Sequence, residues 1–154
     1  MTKAPELDDW IIKLVGKAAG MFFLDGWTIK VFPKGHPSQP EGHESADGLT
    51  KLISQYLDAV MYFDPLLEPD EYGFEVGLHE VLHVVFNELR EATHQIANAT
   101  PDADRFMELY EFAEERAITT LARGMVRQFQ IAAWLDKTEV VREGQGDEPC
   151  QSTP

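Results

Sequence analysis

The sequence predicts an α+β fold: an N-terminal helix, a small β-sheet, and two long antiparallel helices. Three observations carry this. Apolar residues near the N-terminus recur at helical spacing. Short alternating runs rich in β-branched and aromatic residues, bounded by Gly and Pro, fill the middle. From residue 68 onward, apolar residues keep a helical period broken once, at Asn98-Ala99-Thr100. The length of 154 residues suits one domain, expected over residues 1–136, with a polar, disordered tail over 137–154 that carries Gly144, Gly146 and no apolar period.

The first helix is expected over residues 6–20, where Leu7, Trp10, Ile11, Leu14, Val15 and Ala18 form one stripe that would cover a face of the sheet. Trp27 to Phe32 alternates after the Asp25-Gly26 turn and reads as a strand ended by Pro33. A polar Pro/Gly/Ser loop follows to Gly48, and its histidines, His36 and His43, read as solvated. Leu49 to Leu57 fits a helix or a bent strand pair with a turn at Ser54-Gln55, and we favour the strand pair. The apolar run Ala59 to Phe63, closed by Asp64-Pro65, reads as a buried or edge strand. Glu68-Pro69-Asp70-Glu71 opens a helix with acids in its first turn, where the helix dipole favours them. It carries Phe74, Leu78, Val81, Leu82, Val85 and Leu89 on its apolar side and runs into the high nineties. Gly73 and Gly77 within it cost helix propensity, which suggests a close backbone approach. Thr100 as N-cap and Pro101 as first helical residue start the last helix, which runs to about Trp134.

Charge and cysteine content narrow the function. Acidic residues number 27 against 13 Lys and Arg, for a formal charge of −14. Such a chain is a poor partner for nucleic acid or an anionic membrane surface. The single cysteine, Cys150, allows no intrachain disulfide. No signal-peptide pattern or membrane-length apolar run is present, so a cytoplasmic location is expected.

His79-Glu80-Val81-Leu82-His83 is the stretch with chemistry, and it reads as the His-Glu-x-x-His zinc motif. Residues four apart share one helical face, so His79 and His83 can aim their imidazoles at one Zn²⁺. Glu80 lies beside that point as a general base. A third ligand follows from helix geometry. With the chain reversing near residue 99, His83 lies 16 residues before the turn, about 24 Å along the helix. The same distance after the turn reaches Glu114-Glu115, with Glu111 about one turn off. We favour Glu115, which shares a stripe with Ile118, Thr119 and Ala122. Glu114 is the fallback, and Thr119 could orient a ligand through a hydrogen bond. His94 lies three turns beyond His83 and reads as a surface residue.

Two His on one helix and a Glu from the next resemble the ligand set of the gluzincins, the class of thermolysin. The order of elements is similar to that of small metallopeptidases encoded by phages and prophages, with a minimal zincin domain. The matching pieces are Leu24-Asp25-Gly26-Trp27, Val60 to Pro65, Gly77 to His83, and Glu114-Glu115 through Arg123. The resemblance spans roughly residues 6–130, and only the His-Glu-x-x-His core is specific as a motif. It implies the ligands His79, His83 and Glu115 and the base Glu80. Thermolysin-like enzymes also carry a Tyr or His that stabilises the oxyanion. No motif places that group here; Tyr72 and Tyr110 are nearby candidates.

The sequence therefore points to a zinc-dependent peptidase acting on a peptide or protein, with the substrate laid by strand addition along Ala59 to Phe63. Two other readings fit the same residues: a regulatory protein that keeps the metal but acts by docking a partner, and a metal-free helical interaction module. Neither substrate identity nor oligomeric state is encoded in any motif.

Overall fold

A computed structural model describes residues 7–43, 45–129 and 133. The tail expected over 137–154, and the expected end of the last helix at Trp134, lie outside the described residues. The element order is α1 (Asp9–Met21), β1 (Thr28–Pro33), β2 (Gly48–Ile53), a 3₁₀ turn (Ser54–Tyr56), β3 (Asp58–Phe63), α2 (Glu71–Val85), α3 (Asn87–Ala97) and α4 (Ala103–Phe129). The α+β class expected from sequence is the one observed. Among the described residues, no helix is long and apolar enough to cross a membrane.

The sheet has the order β1-β3-β2. β2 and β3 form an antiparallel hairpin in which Gly48 faces Phe63 and Ile53 faces Asp58. β1 joins the other edge of β3 in parallel, with Thr28 opposite Asp58. The strand pair bent at Ser54-Gln55 is thus what forms. One expectation is overturned. β3 is the central strand, with both edges hydrogen-bonded, so no peptide can add along Ala59 to Phe63. Among the described residues, the outer edge of β2 pairs with no strand.

α2 is the central helix. Ile11, Leu14, Val15 and Ala18 of α1, Ala59, Met61 and Phe63 of β3, and Ile118, Ala122 and Val126 of α4 share one core with its Phe74, Leu78, Val81 and Leu82. α1 makes its close approach to α2 rather than lying flat on the sheet, and the two glycines explain why. A Cβ at Gly77 would run into Leu14 and come within 2.9 Å of Ile11 Cδ1. One at Gly73 would collide with the Glu68 carbonyl and come within 3.0 Å of Trp10. Trp10 also meets Phe74 edge-on, with ring centroids 5.4 Å apart. Asp70 caps the helix by accepting from the Gly73 N–H at 2.8 Å.

The long helix expected from residue 68 into the nineties is two helices. Phe86 ends the α2 ladder and α3 starts at Asn87. At this break Asn87 is buried, and Ser54 of the β2–β3 connection donates to Asn87 Oδ1 at 3.0 Å and to Glu91 Oε1 at 2.9 Å. The break turns Leu89 out to solvent, off the apolar side where its spacing had placed it. The next boundary also shifts. Thr100 does not cap α4; its hydroxyl donates back to the Ala97 carbonyl at 2.9 Å, and α4 begins at Ala103.

α1 ends in a Schellman arrangement: Leu24 N–H bonds the Ala19 carbonyl at 2.9 Å and Phe23 N–H bonds that of Gly20 at 3.3 Å. The left-handed position is filled by Phe23, at φ 57°, with a side chain 86% exposed. Phe23→Gly should therefore raise unfolding free energy by about 1 kcal/mol, since the αL cost disappears and little packing is lost. Gly77→Ala should lower it by on the order of 1–2 kcal/mol despite the better helix propensity, because buried Leu14 and Ile11 must move. Urea midpoints at constant m-value would check both.

Candidate metal centre

α2 and α4 run past each other so that the acid pair of α4 comes level with the histidines of α2, as counting from the turn predicts. Glu115 is the one that joins them. Its Oε2 lies 3.3 Å from His79 Nε2, its Oε1 lies 3.5 Å from His83 Nε2, and the two Nε2 atoms are 3.1 Å apart. The separation of the two Nε2 atoms is close to the edge of about 3.3 Å that a tetrahedral ion with bonds of about 2.0–2.1 Å would span, and one donor atom from each of the three residues lies within 4.8 Å of the others. Two imidazoles and a carboxylate also match the donor preferences of Zn²⁺. His79, His83 and Glu115 therefore form a group that could hold a metal ion.

The protonation states favour this. Burial holds His79 below the ordinary histidine range, against an opposing pull from the Glu115 carboxylate. Burial, reinforced by the neighbouring His79 and Arg90, pushes His83 down to about 4. Both imidazoles are neutral near pH 7, with lone pairs available for coordination. Thr119 Oγ1 lies 3.4 Å from His79 Nδ1, one turn beyond Glu115, so the Nδ1–H can donate there while Nε2 faces the ion.

Glu114, the fallback ligand, points elsewhere. Its side chain is 1% exposed and its Oε2 lies 3.4 Å from Arg90 Nε on α3. Burial raises its pKa, against the opposing Arg90 charge. Glu111 approaches the same guanidinium at 3.8 Å. His94 is exposed on α3, as expected.

The chain matches no protein-family model, no curated protein and no solved structure. What the site can do is accordingly read from its own geometry.

Glu80 turns from the histidines' side of α2 towards β2. Thr50 donates to Glu80 Oε2 at 2.7 Å and also reaches the Glu80 carbonyl at 3.1 Å. Gly48 makes room for this carboxylate, since a Cβ there would sit 2.7 Å from Oε1 and 2.8 Å from Cγ. Burial pushes the Glu80 carboxyl up to about 7, against the Thr50 hydrogen bond and helped by the Glu115 charge. A carboxyl titrating there can both accept and return a proton.

These groups line one open cleft of ≈ 460 Å³ between the β2 edge and α4. Thr50, Lys51 and Arg90 line it too, and His43, exposed as expected, borders it. Spacing in the sequence marks none of these. Gly48 and Thr50 share the face of β2 turned to α2, but the alternation of that stretch is too short to show it. Of the two oxyanion candidates, Tyr72 lines an adjoining pocket with His79, Glu80 and Thr119. The Tyr72 hydroxyl donates to Asp47 Oδ2, and Tyr110 lies on α4 near Glu114 and Arg90.

Glu115→Ala should weaken zinc binding by more than the roughly 10–100-fold that loss of a ligand's hydrogen-bond partner costs. Glu114→Ala should leave zinc affinity nearly unchanged and lower stability instead, since Arg90 loses its buried partner. Competition against a chromogenic chelator would rank the two; the reverse order would remove Glu115 from the ligand set.

Proposed function

We propose that the chain is a zinc-dependent metallopeptidase of gluzincin type, with His79, His83 and Glu115 as ligands and Glu80 as general base. The convergence of the three donor atoms beside a buried, near-neutral carboxyl carries the reading. Bound zinc would supply a Lewis acid that polarises the scissile carbonyl and acidifies water. The residues of the chain do the rest. Glu80 takes the proton of the attacking water and delivers it to the leaving amine. Thr50 occupies Oε2, which orients the carboxyl and leaves the Oε1 lone pairs for that transfer. Thr119 keeps His79 in the tautomer whose Nε2 is a ligand. Among the described residues the outer edge of β2 is unpaired, and β2 borders the cleft, so an extended peptide can hydrogen-bond along this strand rather than along β3.

A second reading has one observation in its favour. Tyr110 lies by Glu114 and Arg90, and Tyr72, which lines a pocket with His79 and Glu80, gives its hydroxyl proton to Asp47, so neither phenol donates towards the metal group, and a partner-binding protein that keeps the metal would not need one.

Metal analysis should find close to one zinc per chain. Glu80→Gln should keep that stoichiometry and lower kcat on a pool of synthetic peptides by about 10²–10⁴-fold. Full hydrolysis by Glu80→Gln would remove Glu80 from the mechanism. A zinc-loaded wild type that cleaves nothing would favour the partner-binding reading.

A further inference from the structure

Arg90 has no role in the chemistry above, yet it lines the same cleft as His79, His83 and Glu115. The charged residues lining that cleft balance, unlike those of the chain. The formal charge is −14, but apart from Glu80 and Glu115 the charged residues lining the cleft are Lys51 and Arg90. Arg90 stands on α3 seven residues after His83, across the break at Phe86, so the helix rise puts it at most about 10 Å further along, on the wall of the same cleft. An extended peptide rises about 3.3 Å per residue, so that offset is at most about three residues.

The guanidinium is held without being used up. Its Nε is 3.4 Å from Glu114 Oε2 and its Nη2 is 3.8 Å from Glu111 Oε1. Neither contact is a hydrogen bond, and both Glu114 oxygens are left without a hydrogen-bond partner. The side chain remains 30% exposed. A positioned guanidinium with unspent N–H donors on a cleft wall fits a carboxylate in two-pronged fashion.

We propose that Arg90 is the anchor for a carboxylate of the bound peptide, within about three residues of the metal, and that the cleft selects peptides carrying one there. The carboxylate is either a chain terminus or an Asp or Glu side chain. The proposal rests on the peptide-cleft reading of the preceding subsection.

The test uses three neutral hexapeptide pools: one with free C-termini, one amidated, and one amidated with a single Glu at each position in turn. Cleavage by the zinc-loaded protein is followed by mass spectrometry. Binding of fluorescein-labelled members to the Glu80→Gln protein is followed by anisotropy. The expected result is a preference of about 10-fold or more, in kcat/KM and in Kd, for peptides whose carboxylate lies within about three residues of the cleaved bond. Preference for the free C-termini or for the Glu pool tells which carboxylate is read. In Arg90→Gln/Glu114→Gln, which leaves no buried charge unpaired, the ratio of carboxylate to neutral peptide should fall to about one. If that variant does not fold, Arg90→Lys should lower the ratio, because the ammonium lacks the planar fork. A merely structural role would lower the amount of folded protein without changing the ratio. Cleavage with no carboxylate preference overturns the anchor and leaves the peptidase reading standing. Arg90-dependent binding without cleavage supports the anchor and overturns the peptidase reading. No preference in either measurement overturns the anchor.

Discussion

One donor atom from each of His79, His83 and Glu115, on two helices, comes within 4.8 Å of the others because α4 packs on α2 along a stripe of modest side chains. Ile118, Ala122 and Val126 are buried against the core that Leu78, Val81 and Leu82 also enter. Glu115 lies one turn before Ile118, at the margin of that stripe, with its side chain 52% exposed. Its reach to His79 and His83 is thus set by apolar packing elsewhere on the helix, and α1 holds α2 from the other side. Gly73 and Gly77 let α1 sit close, so the helix that carries both histidines is gripped over its length.

The cost of the arrangement is concentrated in Glu80. Moving its carboxyl from an ordinary 4.5 to about 7 corresponds to on the order of 3 kcal/mol of folded-state penalty for the ionised form. The sign follows from linkage: the penalty is absent below the ordinary carboxylate range, grows as pH rises, and is complete above the folded-state value. Thr50 offsets part of it with one hydrogen bond, and Gly48 prevents a steric term from being added. A buried carboxyl kept at such a cost, beside two neutral imidazoles, is what the proposed general-base role of Glu80 would use.

Much of the site was legible because α-helical geometry is periodic. His79 and His83 share a face whatever surrounds them, and Glu80 follows by adjacency. A rise of 1.5 Å per residue brought the height of the histidines to the Glu114-Glu115 pair, but the stripe did not separate the two, since Glu114 is the acid buried in line with Ile118 and Ala122 while Glu115 meets the histidines. The end of β3 before Asp64-Pro65 and the helix start at Glu68 to Glu71 also follow from local chemistry. The break at Phe86 does not. Leu89 keeps the helical period across it, while the side chains that meet it, Ser54 and Glu91, lie on different elements. Thr100-Pro101 carries a strong start signal, yet the Thr100 hydroxyl bonds the helix behind it. Local propensity and tertiary position compete there, and position decides.

By itself the sequence marked the candidate site, because the spacing of His79, Glu80 and His83 acts through bonds a few residues long. It also determined the α+β class, through periods of two and of 3.6. The tertiary structure alone decided that β2 and not β3 borders the cleft, that Gly48 and Thr50 cradle Glu80, and that Arg90 stands on the same wall as the histidines. Strand order and the meeting of a loop with a helix depend on contacts between residues 30 or more apart, and a pattern confined to one segment holds no record of them.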